Sequence, residues 1–332
     1  MLRIPYDELV RTLVLALRNL GFTPARAQEC ANLFAETTRD GVYTHGVARF
    51  PRFAKLIENG AVRPEASPTM VSGFGALERW DGNYGPGNLN AWHTMGRAIA
   101  LAHQHGIGCV TIGYTNHWMR AGTYGLQAAE SGMIGICFTN TMPNMAPWGG
   151  NKSVLGNNPL VIAVPRANGA HFLIDFAMSQ FSYGALDGYA ARGEQLPVPG
   201  GFDKDGNLTS DPKAILESHH PLPIGYWKGS AFAMMLDVVA ATLSFGQATH
   251  QVSPDPLREA GVSQVFLAIN PAALGPVSTI GDEIIASLHT EPNAKVRYPG
   301  ERLPATRAEN MEKGIPVDED IWEETRKLAG LA

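Results

Sequence analysis

Cysteine is scarce in this chain and charge is modest. Only Cys30, Cys109 and Cys137 occur in 332 residues, and no two share a CxxC spacing. An odd number of widely separated thiols argues against a disulfide framework. They read as small buried apolar residues, and the chain suits a reducing cytoplasm. Charged residues make up 17%, the formal balance is −5, and there is no basic run. The electrostatic footprint of a nucleic-acid binder is missing, as is a cationic amphipathic helix for an anionic membrane. No uncharged apolar run approaches the ~18 residues needed to span a bilayer. The N-terminal stretch MLRIPYDELV lacks the basic head, apolar run and small-residue cleavage site of a secretory leader.

Several catalytic signatures are also absent. No GxGxxG appears; the clusters GFG, GPG and GIG lack the third glycine and the strand–turn–helix context. There is no GxxxxGK[ST], so no P-loop, and no GxSxG nucleophile elbow. His103 and His105 form an HxH pair and His219 and His220 are adjacent, but neither pair has a third ligand at a fixed spacing, so no metal is expected. FDKDGN begins like an EF-hand loop and then fails it, with Leu208 at the glycine position and Ala214 where the last glutamate belongs. It reads as a surface turn.

What is present is a core. Apolar residues make up 45%, enough to bury a sizeable interior. Leu9, Leu13, Leu17 and Leu20 form one stripe of a helix over 7–20, ended by Gly21. Thr23 and Pro24 open a second helix to about Thr38. Phe50, Phe53 and Ile57 mark a third, ending at Asn59-Gly60. Further helices are expected over 89–104, 121–131, 278–289, 304–313 and 318–329, the last capped by Asp318. Short apolar runs at 109–112, 134–140, 160–165, 172–177 and 264–269 read as strands. Their connections are mostly too short for parallel crossovers, which favours a mixed, mostly antiparallel sheet. Residues 195–223 form a long polar connection, the kind that serves as a lid or a subunit contact. The helix over 229–245 is apolar nearly all round and belongs in a core or an interface. The fold class is α/β of the α+β type. The chain divides into an N-terminal helical part over 1–70, a sheet domain over 71–225, and a helical part over 226–332 that closes against the N-terminal helices.

Three clusters carry polar chemistry. In DGVYTHGVARFPRF, over 40–53, His45 precedes the third helix and Arg49 follows four residues later, on the same face if the segment is helical. An imidazole beside a guanidinium can protonate a carbonyl while holding a neighbouring carboxylate. A capping histidine with exposed arginines is the plain alternative, and this stretch alone does not decide between them. In TNHWMRAGTYG, over 115–125, Asn116, His117, Arg120 and Tyr124 sit where a strand gives way to a helix. In YWKGS, over 226–230, Lys228 opens a helix, where the dipole disfavours it unless an anion compensates. The three agree on a site for an anion and a carbonyl.

The order THG…R, NHxxxxGxYG, GNNPL, LIDFAMS, GYWKGS and RYPGE resembles the type-2 malate/L-lactate dehydrogenase family, which is unrelated to the Rossmann lactate dehydrogenases. The resemblance runs from about residue 5 to the last helix. Within the family the closest likeness is to members that act on a 2,3-diketo sugar acid. It implies a helical domain joined to a non-Rossmann NAD(P)-binding domain with a mixed, mostly antiparallel sheet. It further implies a homodimer with the site near the subunit interface, and reversible hydride transfer between nicotinamide C4 and the carbonyl of a 2-oxo acid. His45 matches the proton donor and Arg49 a carboxylate-binding position. His117 matches a second histidine that is the acid/base in some relatives, which leaves the division of labour open. The cofactor contacts implied are His171, Phe172, Leu173, Ile174, Asp175, Phe176 and Ala177, then Trp227 and Lys228, then Arg297, Tyr298 and Pro299. Two departures stand out. Ala177-Met178-Ser179 replaces the Ala-Thr-Ser of many relatives, and Ala185 stands where wider relatives carry a lysine. The second points to NAD, as NADH, over NADP. Malate, lactate, sulfolactate, ureidoglycolate and cyclic imine-2-carboxylate chemistries are the rivals within the family. A non-catalytic sugar-acid binding protein is the rival outside it, and the retention of His45, Arg49, His117 and Lys228 speaks against that.

Overall fold

The computed structural model describes residues 1–275, 279–291 and 295–331. The chain opens with strand β1 (Leu2–Ile4) and helices α1 (Tyr6–Asn19), α2 (Pro24–Arg39) and α3 (Phe50–Glu58). The expected leucine stripe is the buried face of α1: Leu9, Leu13 and Leu17 are fully covered. Phe34 packs edge-on against Phe50 at 5.4 Å between ring centroids and lies 5.3 Å from Phe53. That aromatic cluster locks α2 to α3. Between them the backbone makes two 3-10 turns, Tyr43–His45 and Val47–Arg49, separated by Gly46. His45 and Arg49 therefore do not share a helical face; the sequence-based expectation is corrected here.

A hairpin follows, β2 (Thr69–Phe74) and β3 (Leu77–Asp81), which the glycine-rich texture of this segment hides. Helix α4 (Gly87–His105) then crosses to β4 (Ile107–Thr115), and β3–β4 is the parallel pair of the sheet. After α5 (Gly122–Glu130) come β5 (Ile134–Thr139), β6 (Leu160–Val164) and β7 (Phe172–Phe176), each antiparallel to its neighbour. Helix α6 (Tyr183–Arg192), absent from the sequence reading, leads into the polar connection. That connection is ordered: β8 (Gly201–Phe202), β9 (Leu208–Thr209) and α7 (Pro212–Ser218) gather around Leu186, Leu196 and Ile215. Asp203 accepts backbone N–H groups from Asp205 and Asn207, so FDKDGN is a tight turn between β8 and β9.

Helix α8 (Trp227–Ser244) precedes β10 (Val262–Ile269), which slots between β4 and β5. The sheet order is β2-β3-β4-β10-β5-β6-β7. Its central strand thus comes from late in the chain. One face is covered by α4 and α5 through Met95, Ala98, Tyr124 and Phe266, the other by α8 through Ala233, Leu236 and Ala240. The opposite side of α8 is open: Phe232, Met235 and Val238 are each almost half exposed. Helices α9 (Ile280–Leu288), α10 (Leu303–Lys313) and α11 (Glu319–Leu328) complete the chain, with Asp318 capping α11 as expected. The expected start of α9 at residue 278 lies outside the described residues. Strand β11 (Ile315–Val317) pairs with β1, so the two ends of the chain are sewn together.

Candidate active site

The glycine of the Thr-His-Gly triplet is required by packing. Thr38, in the last turn of α2, accepts the N–H of Val47 on Oγ1 at 2.9 Å. A Cβ on Gly46 would come within 2.2 Å of that oxygen and 3.0 Å of the Thr38 backbone nitrogen. The close approach pins the turn and aims His45 away from α2. Thr44 Oγ1 lies 3.0 Å from His45 Nδ1.

The second histidine is held from below. Asn116 Nδ2 donates to the carbonyls of Tyr84 and Gly85 at 2.9 Å, and Gln264 on β10 donates to the Asn116 carbonyl at 3.1 Å. Tyr124 donates its hydroxyl to the Trp118 carbonyl. Met119 adopts φ +63°, and its N–H donates to His117 Nδ1 at 3.0 Å. That bond fixes the tautomer: neutral His117 carries its hydrogen on Nε2, and Nδ1 is unavailable to a second proton while the bond lasts. The His45 and His117 rings face each other at 5.9 Å with an 18° tilt.

Both imidazoles are kept neutral. Burial and then the Arg49 charge push His45 down to about 4. Burial, Arg49, His45 and Arg52 depress His117 well below the ordinary imidazole value. Arg52 is paired, donating to the Pro256 carbonyl and to Glu259. Arg49 has no hydrogen bond or ion pair from its guanidinium among the described residues, and burial followed by Arg52 lowers its own affinity for a proton. A half-buried cation without a counter-ion is costly. A carboxylate brought by a ligand would relieve it.

His45 and His117 line a cleft of about 380 Å³. The far wall includes Asp175, Phe176 and Ala177 from the end of β7, with Asn157, Ser179 and Ile224 beside them. Asp175 Oδ2 accepts the N–H of Gly122 at 2.7 Å, where α5 begins. The surrounding protein pushes its carboxyl up, against the opposing pull of that N–H and of Arg120. Ser179 Oγ is buried and has no partner.

The sequence-derived site residues fall into three groups. His45, His117 and Asp175 to Ala177 meet at the cleft, with Arg49 near enough to act on both imidazoles but outside the wall itself. His171, Phe172, Leu173 and Ile174 run back along β7, the last strand of the sheet, where the Arg-Tyr-Pro turn covers them. Leu173 donates its N–H to the Pro299 carbonyl at 3.2 Å, and Tyr298 stacks edge-on against Phe172 at 5.6 Å. Arg297 precedes that turn at the outer edge. Trp227, 62% exposed, and Lys228 open α8 three and four residues beyond Ile224, which does line the cleft. Sequence reasoning missed Asp40, the buried anchor of Arg120. A lone aspartate after a helix gives no spacing signal. It also left Arg120 without a role. Among the described residues, no group of three or more His, Cys, Asp or Glu side chains is placed to hold a metal ion.

Known proteins bear on this geometry. A profile of the malate/L-lactate dehydrogenase family matches residues 4–326. A 2,3-diketo-L-gulonate reductase of Shigella boydii is 42% identical over 334 aligned residues, covering 98% of this chain and all of the relative. Among solved structures, sulfolactate dehydrogenase from Methanocaldococcus jannaschii superimposes with a TM-score of 0.90 at 26% identity, over 99% of this chain and 97% of that one. Delta1-piperideine-2-carboxylate reductase from Pseudomonas syringae gives 0.89 at 27% identity, over 99% and 100%. With the fold and nearly the whole length of the chain in agreement, this protein belongs to the malate/L-lactate dehydrogenase family of oxidoreductases.

Proposed function

We propose that the protein reduces a 2-oxo sugar acid with NADH, and that 2,3-diketo-L-gulonate, converted to 3-dehydro-L-gulonate, is its substrate. One observation carries the reading: two facing, neutral imidazoles beside a guanidinium that has no hydrogen-bonded or ion-pair partner among the described residues. The identity to reductases named for that substrate narrows the class. Reduction adds a hydride at C2 and a proton at the carbonyl oxygen; a bound nicotinamide supplies the hydride. The residues present fit such a cofactor. The orphaned Ser179 hydroxyl and the Asp175 carboxylate face the cleft, and the other residues implied as contacts flank it from β7, the Arg-Tyr-Pro turn and the start of α8. The first turn of α6, which holds Ala185, carries no basic residue; Arg192 lies in its last turn. That supports NADH over NADPH. Steady-state rates across a panel of 2-oxo acids and cyclic imines, with each nicotinamide, test the assignment. The diketo sugar acid with NADH should give the highest kcat/KM. A higher value for oxaloacetate, pyruvate, sulfopyruvate or an imine would move the protein to a sister activity.

The tautomer divides the labour. His117, with Nδ1 occupied by Met119 N–H, donates a hydrogen bond from Nε2 and polarises the carbonyl. His45 has no such lock, because the Thr44 hydroxyl can donate or accept, so it can take up and deliver a proton. Arg49 holds the C1 carboxylate. A positioned acid contributes about 10²–10⁴-fold, or about 3–5 kcal/mol of barrier. His45→Gln should lose kcat by that factor and keep NADH affinity, whereas His117→Gln, which retains a donor, should lose less. The opposite ranking would make His117 the acid.

Substrate binding should also charge the site. With His45 at about 4, the empty cleft holds a neutral imidazole at pH 7. A carboxylate on Arg49 offsets the nearby positive charge and raises the His45 pKa, so the complex binds a proton that the free enzyme does not. Uptake should grow as the pH falls from 7 towards 5, between the raised value of the complex and the low value of the free protein. Titration calorimetry with an unreactive 2-oxo acid analogue, in buffers of different ionisation heat, would read it. Binding with no proton uptake anywhere in that range refutes the coupling.

We also propose a homodimer. The open face of α8, with Phe232, Met235 and Val238, and the exposed Phe74 and Phe245 present large apolar side chains to water, a feature of interaction surfaces. The occupant favoured is a second copy, because the same helix begins with Trp227 and Lys228 beside the cleft. Light scattering should give twice the chain mass, and Val238→Asp should reduce it to one; a wild-type monomer at micromolar concentration would refute this. The three free thiols support a cytoplasmic location, which cell fractionation checks. No helix among the described residues is long and apolar enough to cross a membrane.

A further inference from the structure

One donor in the cleft is used neither by the protein nor by the chemistry above. Arg120 is 4% exposed, and its Nη1 donates to Asp40 Oδ2 at 2.5 Å. Arg307 holds the same carboxylate through Nε and Nη2 at 2.6 and 2.8 Å, and Arg39 reaches it at 3.0 Å. Arg120 Nε is buried and has no hydrogen-bond partner among the described residues, although the side chain lines the cleft with His117. The nearest candidate acceptor, Asp175, is taken at Oδ2 by the Gly122 N–H, and Arg120 feels it only through space.

Buried polar groups are almost always satisfied, so an orphaned N–H in the wall of a site points to a ligand atom as its partner. The chemistry of that atom follows from the charges around it. Arg120 is held on one side by Asp40, which it shares with Arg39 and Arg307, and feels Asp175 on the other. A second acid group on the ligand would meet the Asp175 carboxylate in the cleft wall. A neutral oxygen, hydroxyl or ketone, fits. Arg120 is three residues beyond His117 on the same short link and lines the same cleft, so the oxygen is assigned to the carbon next to the one being reduced.

We propose that Arg120 is a specificity-determining residue that donates from Nε to an oxygen on C3 of the substrate. It thereby selects 2-oxo acids oxygenated at C3 over those with a bare carbon there. The inference rests on the reading of the protein as a 2-oxo acid reductase.

Hydroxypyruvate and pyruvate differ only in a C3 hydroxyl and form the matched probes. The wild-type enzyme with NADH should favour hydroxypyruvate in kcat/KM by about 10–100-fold, the range expected when a buried donor is left unpaired. Arg120→Lys keeps a cation against Asp40 and removes the Nε–H. The ratio should fall to near one, chiefly through loss on hydroxypyruvate. Thermal shifts induced by each acid, without turnover, should show the same loss of discrimination. Arg120→Gln is the second variant if the lysine form does not fold. An unchanged ratio in a folded variant overturns the proposal, as does a wild-type ratio near one. Equal losses on both acids with weakened NADH binding would also overturn it, by assigning Nε to the cofactor. If neither acid is reduced but the wild type alone is stabilised selectively by hydroxypyruvate, the reductase reading fails while the Nε assignment stands.

Discussion

A single buried carboxylate ties the loop that carries His45 to the rest of the fold. Asp40 follows α2, is almost completely covered, and receives Arg39, Arg120 and Arg307. Those arginines belong to α2, to the link between β4 and α5, and to α10. Burial by itself would raise the Asp40 carboxyl; the Arg307 and Arg120 guanidiniums outweigh it and hold the group below the usual carboxylate range. Breaking such a pair by removing one partner typically costs about 3–5 kcal/mol, because the other charge is left buried. The cost is also geometric. The segment from Asp40 to Arg49 carries His45, and the segment from Asn116 to Arg120 carries His117. Asp40 and Arg120 are the outer ends of those two segments, so one ion pair sets the distance at which the imidazoles face each other.

Given that frame, the electrostatics of the cleft are those of a site built for an anion. Protein interiors avoid unpaired charge because desolvation is not returned. Here two neutral histidines stand beside an arginine with no ion-pair partner among the described residues, and burial followed by the Arg49 charge depresses the proton affinity of both imidazoles. The arrangement is unfavourable until a carboxylate enters. Neither histidine carries an extra proton in the empty protein at neutral pH, so in the proposed mechanism acid catalysis becomes available only with the substrate in place. On that reading recognition of the carboxylate is coupled to delivery of the proton, with Arg49 as the common element.

Much of this was legible in the sequence, for identifiable reasons. The leucine stripe of α1, the Thr23-Pro24 start of α2 and the Asp318 cap of α11 are local signals that tertiary contacts did not override. The strands β4, β5, β6, β7 and β10 were marked by apolar runs between glycine, proline and asparagine. The hairpin β2–β3 was hidden because β2 is exposed on both faces and so lacks alternation. Helix α6 and the elements of 195–223 are short and buried mainly against one another, which leaves little periodicity to read. His45 and Arg49 were found as a pair on a mistaken premise: the spacing suggested one helical face, but Gly46 breaks the helix and two 3-10 turns bring them together instead. Asp40 was invisible because its partners are 80 and 267 residues away.

Three features have no partner among the described residues. Arg49 has no ion-pair partner, Arg120 Nε has no acceptor, and α8 is apolar on a face that the sheet does not cover. Each breaks a rule that the rest of the molecule obeys: charges pair, buried donors bond, and apolar helix faces are buried. Their distribution is not random. Arg49 and Arg120 follow the two histidines by four and three residues, and α8, which carries the open face, begins three residues after Ile224 of the cleft wall. Unmet requirements for charge, hydrogen bonding and burial thus converge on one region. A substrate carboxylate, a substrate oxygen and a second subunit would satisfy them in turn, and a site completed by all three cannot be read from any one stretch of sequence.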